Sequence, residues 1–234
     1  MEETGKNPIQ VAERLFQVIE RLAENGPMGI MDLSAELGFH KSTTHRLVTS
    51  LQYMGYIRQD EESLKYALSL KFLEIGSKIL EQTNMASLIH PSLKKLSEQT
   101  GETVHLVRRE GTEAVYIDKV ESTVSSIRMV SRVGSRIPLY CSGVGKALLA
   151  ELPDPEIEDI WNSSEITSLT PYTVTSLSDL MDRIRGVREA GYAMDDEENE
   201  EGVRCIAVSI PDYHKEPVYA LSISAPVSRM TDAR

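Results

Sequence analysis

The sequence is sparing with the residues that mark exported, membrane-bound or metal-centred proteins. Its 234 residues hold two cysteines, Cys141 and Cys205, and neither belongs to a C-x-x-C pair. That leaves no basis for a zinc ribbon, a dithiol redox motif or a disulfide framework, and both are read as free thiols. No apolar run approaches the roughly 18 to 20 residues that span a bilayer, and no basic start leads into a short apolar core. A soluble, cytoplasmic protein without a membrane partner is expected. His90, His105 and His214 stand apart, with no H-E-x-x-H, no Ser/His/Asp order and no nucleophile elbow, so neither a catalytic site, a metal nor a cofactor is expected. Positive charge is short as well. The 25 Lys and Arg stand against 36 Asp and Glu, a net charge of −11 that on its face speaks against a nucleic-acid partner.

The distribution of charge reverses that impression. No acid lies between Glu36 and Asp60, while Lys41, Arg46, Arg58, His40 and His45 fall inside that window. One segment can therefore face a polyanion while the rest of the chain repels non-specific contact. An accidental gap on a solvated face is the plainer alternative.

What surrounds the window favours the first reading. Apolar residues from Ile9 to Ala23 recur at helical spacing, and Gly26-Pro27 ends that run. A short helix over Ile30 to Leu37 stops at Gly38. A third spans Ser42 to Met54, with Leu47, Val48, Leu51 and Met54 on one face and Ser42, His45, Arg46, Thr49, Gln52 and Tyr53 opposite. The second face has the polar, basic, hydroxyl-bearing make-up of a helix that reads a major groove. Two short alternating stretches, Tyr56 to Gln59 and Lys65 to Leu68, flank an acidic turn and predict a hairpin. Helix, helix, helix, wing is the order of a winged helix-turn-helix, predicted over residues 1–69.

A linker helix is predicted over residues 70–84, with little Pro, Gly or Ser to loosen it, and a second domain over 85–234. That domain should begin with a helix from Met85 to Thr100 and continue with strands at 103–108, 114–120 and near 126–131. A glycine turn, Cys141 to Ala147, then opens a helix; further helices fall near 155–161 and 178–190, and strands at 203–210 and 218–225 close the chain. The class is α+β, an antiparallel sheet with helices. The glycine turn fits neither a P-loop nor a dinucleotide fingerprint. What survives is one carboxylate on the amides near Gly143 and Val144, or a glycine kept for close packing. Strand alternation groups Val203, Cys205 and Ala207 on one face, and Ala220, Ser222 and Ser224 on another. These can wall a pocket for a small polar ligand or be satisfied core residues. Most of the acidic run Asp195 to Glu201 is expected to face water.

Several motifs together resemble the IclR family of bacterial transcriptional regulators: Lys41-Ser42-Thr43-Thr44-His45-Arg46-Leu47 with Gly55-Tyr56, Pro138-Leu139 with Ser142 to Ala147, Gly191-Tyr192 with Asp195 to Glu198, Gly202 to Ala207, and Ser222-Ile223-Ser224. The resemblance covers nearly the whole chain. It implies a regulator, a repressor before an activator, that acts as a homodimer or dimer of dimers on double-stranded operator DNA. Contact would run through Lys41, Ser42, Thr43, His45, Arg46, Thr49 and Arg58. It also implies a GAF-like domain binding a small organic acid or related metabolite, with Met129, Ile137, Gly143, Val144, Asp195, Val203, Cys205, Ser222 and Ser224 lining the site. Ser126 stands where relatives can carry a larger apolar residue, which implies a wider or more polar pocket. The chain ends at Arg234, just after Ser228 to Asp232, where the resemblance implies a further helix. A GAF-like thiol redox enzyme using Cys141 or Cys205, and a pure protein-interaction module, are the rival readings.

Overall fold

The computed structural model describes residues 8–82, 84–122, 131–211 and 216–231. It divides the chain into two compact units, 1–82 and 83–234.

The first unit contains helices α1 (Gln10–Asn25), α2 (Ile30–Leu37) and α3 (Lys41–Tyr53), strands β1 (Ile57–Gln59) and β2 (Tyr66–Leu68), and helix α4 (Lys71–Gln82). Val18 and Leu22 of α1, Leu33 of α2, Leu47, Val48 and Leu51 of α3, and Ile57 and Tyr66 of the hairpin form one buried cluster. Met54 is the C-cap residue of α3 and is exposed rather than part of that apolar face. Gly38 ends α2 with φ 65°, a left-handed conformation suited to glycine, and its N–H and that of Phe39 cap the last carbonyls. The β1–β2 hairpin is antiparallel, and a bridge from Met28 to Tyr66 ties it to the segment ahead of α2. At the tip of the wing the Asp60 carboxylate accepts from the N–H and hydroxyl of Ser63 at 2.8 and 2.7 Å. Lys71 at the start of α4 donates to the Met54 carbonyl at 2.7 Å and lies 4.3 Å from the centre of the Tyr56 ring, which fixes α4 to the end of α3 and the wing.

The second unit starts with α5 (Asn84–Thr100) and carries a six-stranded antiparallel sheet in the order β5-β4-β3-β8-β7-β6. Its strands are β3 (Thr103–Glu110), β4 (Glu113–Val120), β5 (Arg136–Pro138), β6 (Ala193–Asp196), β7 (Val203–Ile210) and β8 (Tyr219–Pro226). Helices α6 (Gly143–Ala150), α7 (Asp154–Ser163) and α8 (Leu177–Ala190) lie between β5 and β6 in the chain. Alternation along β3 sends Val104 and Leu106 to a cluster with Leu93 of α5, and Val107 to a larger cluster with Val144, Ala147 and Leu148 of α6. The sheet is thus covered by α5 on one face and by α6 to α8 on the other. Among the described residues no helix is long and apolar enough to cross a membrane.

Two edge strands, β5 and β6, have no counterpart in the periodicity of the sequence. Each has three or four residues, too few for alternation to register. The strand expected near 126–131 lies largely outside the described residues.

Candidate functional site

The first unit offers an exposed face. Lys41, Ser42, His45, Arg46 and Thr49 of α3 and Arg58 of β1 are all exposed, and Thr43 is half-buried. Thr44, one residue on, is buried with its hydroxyl turned back to the His40 carbonyl. The helix therefore divides cleanly between core and solvent, and the acid-free window of sequence becomes a basic and hydroxyl-bearing surface.

The second unit offers a cavity of about 500 Å³ on the sheet face beneath α6. Its wall is built by register. Asp195 of β6 pairs with Cys205 of β7, and Cys205 with Ser224 of β8, so three polar side chains lie in a row across adjacent strands. Ser222 follows on the same face of β8 and pairs with His105 of β3. Ile137, Val203 and Val144 supply apolar wall, Tyr116 an aromatic one, and Gly143 closes the site from α6. The residues singled out by the family motifs and within the described chain all line this cavity; Met129 and Ser126 lie outside the described residues.

The start of α6 faces the cavity because the chain is packed to the limit there. Ser142 is the N-cap, accepting from the Gly145 N–H at 3.1 Å and donating to the Pro138 carbonyl at 2.6 Å. A Cβ at Gly145 would stand 2.1 Å from the Leu139 carbonyl oxygen, so only glycine lets α6 seat against the backbone just after β5. A Cβ at Gly143 would meet Asp195 and Ala207 at an ordinary 3.5 Å. The two glycines differ in kind: Gly145 answers to packing, while Gly143 brings backbone to the cavity. The Gly143 and Val144 amides are among those that an α-helix leaves without an intrahelical acceptor, at the end where its dipole favours negative charge.

Asp195 is 3% exposed. Its Oδ1 accepts from the backbone N–H of Glu198 at 2.8 Å and of Asn199 at 3.3 Å. Burial raises its pKa to about 6, against the opposing pull of Lys146 and these amides. Lys146 and Glu198 are buried and form an ion pair, leaving Glu198 Oε2 without a hydrogen-bond partner among the described residues. The acidic run is therefore not a uniformly solvated stretch. Asp195 turns inward by strand alternation with the buried Ala193, and Glu198 because the turn after β6 is held by the Thr170 and Thr173 hydroxyls, which donate to the Glu197 and Glu198 carbonyls at 2.7 Å.

His105 was not legible as a site residue. It is 2% exposed, and burial together with the nearby Lys119 charge lowers its pKa to about 3, so the ring is neutral. Its Nε2 lies 2.8 Å from the Ser131 hydroxyl and its Nδ1 3.3 and 3.5 Å from those of Ser224 and Ser222. The signal was available only in the pairing of β3 with β8, which no local pattern encodes. Burial pushes both Cys141 and Cys205 up to about 12. Protonated thiols are poor nucleophiles, and Cys205 spends its proton on Ser224 at 3.0 Å.

Comparison with known proteins places both units. The model of the IclR helix-turn-helix domain matches residues 11–61, and that of the bacterial transcriptional regulator IclR C-terminal matches residues 77–234. The chain is 37% identical over 229 residues to the acetate operon repressor of Salmonella typhimurium, covering 97% of this chain and 83% of that one. It is likewise 37% identical over 231 residues to the HTH-type transcriptional regulator KdgR of Escherichia coli, covering 98% and 88%. The crystal structure of the Thermotoga maritima IclR superposes with a TM-score of 0.80 at 32% identity, covering 96% of this chain and 90% of the other.

Proposed function

The chain belongs to the IclR family of bacterial transcriptional regulators, a DNA-binding regulator answering to a small-molecule effector rather than an enzyme, and from that premise we propose which residues meet the DNA and which meet the effector. Helix α3 enters the major groove of operator DNA, presenting Lys41, Ser42, Thr43, His45, Arg46 and Thr49, while Arg58 on the wing meets the phosphate backbone. The protein acts in the cytoplasm as a homodimer or dimer of dimers, which suits a two-fold operator. It represses; four of its relatives are named repressors.

The effector is a small organic acid held in the cavity of the second unit. Its carboxylate accepts from the Gly143 and Val144 amides, Asp195, Ser222, Ser224 and Cys205 meet its other polar groups, and Ile137 and Val203 cover its apolar part. The observation that carries this reading is the amide end of α6 opening onto a cavity walled by buried polar side chains. Binding shifts operator affinity through unequal affinity for two states of the protein.

The test is genomic footprinting with purified protein, followed by titration of a footprinted duplex in the presence of organic acids handled by the neighbouring genes' products. One acid should change the duplex Kd severalfold in wild type and not in Ser224→Ala. Absence of any footprint would leave a protein-interaction module instead. A footprint indifferent to every acid would remove the effector assignment and leave the DNA assignment standing.

A further inference from the structure

The far wall of the cavity has a hydrogen-bond polarity that the ring of His105 decides. Cys205 gives its S–H to the Ser224 oxygen. If Nδ1 carried the ring proton, it would donate to the Ser224 or the Ser222 oxygen, and the hydrogens of these two buried hydroxyls would lose the one ring acceptor in their reach, the costlier arrangement. With the proton on Nε2 instead, donation runs in one direction: Cys205 to Ser224, Ser224 to Nδ1, and Nε2–H to Ser131, which is half-buried and can pass its own hydrogen to water.

We infer that His105, as the Nε2–H tautomer, positions the Ser224 hydroxyl so that the cavity wall accepts hydrogen bonds, and thereby selects an acid carrying a hydroxyl at its far end over one carrying a carbonyl. This rests on the organic-acid reading above and names the class of acid. Ser224 keeps a lone pair toward the cavity, its own hydrogen being committed to Nδ1. A ligand carbonyl would face lone pairs there, whereas a ligand hydroxyl finds an acceptor. Reach follows from register. Asp195, beside Gly143, and Ser224 are two strand spacings apart, roughly 10 Å between backbones. A chain of about six carbons therefore separates a carboxylate on the α6 amides from a hydroxyl at Ser224, given that side chains shorten that span.

The probes are 6-hydroxyheptanoate and 6-oxoheptanoate, which differ only at that far group, with ring-¹⁵N histidine spectra of the full chain as the independent readout. Wild type should bind the hydroxy acid roughly tenfold more tightly than the keto acid. His105→Leu should bring the two within about twofold, while His105→Asn, which restores an acceptor near the Nδ1 position, should recover most of the difference. In the spectra one histidine should remain neutral with its proton on Nε2 down to pH 5, and its signals should vanish in His105→Asn. An Nδ1–H tautomer, a ring that titrates near 6.5, or equal binding of the two acids by wild type would overturn the inference while leaving the organic-acid reading intact. Failure of wild type to bind either acid, with the expected tautomer present, would overturn the selection assigned here. If other acids also failed to shift operator affinity, the organic-acid reading itself would fall.

Discussion

The two units place their functional residues under opposite physical regimes. The residues proposed to meet DNA in the first unit sit on one helix and one strand of the wing, nearly all in solvent, and each can change without disturbing the cluster of Val18, Leu33, Val48 and Ile57 beneath them. The cavity residues of the second unit come from α6, all six strands and the loops beside them, and half of them are buried. There, a change of function is also a change of stability. An exposed recognition face costs the fold little, whereas a cavity lined by Asp195, His105, Cys205 and two serines holds polar groups away from water and must satisfy them internally.

The largest effect that would sharpen this contrast is at the buried ion pair. Lys146→Met should destabilise the second unit by about 3 to 5 kcal/mol, because Glu198 is left buried and unpaired. Urea denaturation followed by the fluorescence of Trp161, the single tryptophan, reads this directly. A loss under about 1 kcal/mol would mean that the pair is solvated and the contrast overstated.

Next in size is Asp195→Asn. A folded pKa raised to about 6 means that the carboxylate's contribution to stability is fully present below its unfolded value of 3.8 and is lost as pH rises through about 6. The amide should therefore stabilise the protein by about 2 to 3 kcal/mol at pH 8, with the gain shrinking through pH 6 and gone near pH 4. His105 has the opposite sign: its contribution is present above 6.5 and is lost as pH falls toward about 3. His105→Asn should flatten the acid limb of the same stability profile. A profile unchanged by either substitution would show that these side chains are hydrated in solution.

Smaller effects are expected at the exposed face. Arg46→Ala and Arg58→Ala should each weaken duplex binding about tenfold, with the salt slope reduced by roughly 0.9 for each phosphate no longer neutralised, and leave the urea midpoint unmoved. A shifted midpoint would break the comparison, since it would make the recognition face part of the core. Ser224→Ala should weaken effector binding by about the same factor, with operator affinity in the absence of effector unchanged. Gel shifts with and without the acid separate these outcomes.

The winged helix was legible because its signals are local. The stop at Gly38, the period of Leu47, Val48 and Leu51, and the gap in acids from Leu37 to Gln59 all lie within one turn or one helix of the structure they specify. Much of the second unit could be read the same way, including α6 to α8 and the long strands β7 and β8. The family motifs pointed to Gly143, Asp195 and Ser224, but local patterning left each of them balanced between a ligand-binding role and ordinary packing. Asp195 and Glu198 look alike in an acidic run, and nothing in their neighbours says that both point inward.

The sequence by itself determined the helix-helix-helix-hairpin order of the first unit and the thiol and charge inventory, because helix periodicity, glycine stops and composition act over a few residues. Only the tertiary structure decided that Asp195, Cys205, Ser224 and His105 share one wall, that Lys146 meets Glu198 across 52 positions, and that Gly145 rather than Gly143 is the glycine required for packing. Those facts depend on strand register and on the seating of a helix on a sheet, which are set by interactions between segments far apart in the chain.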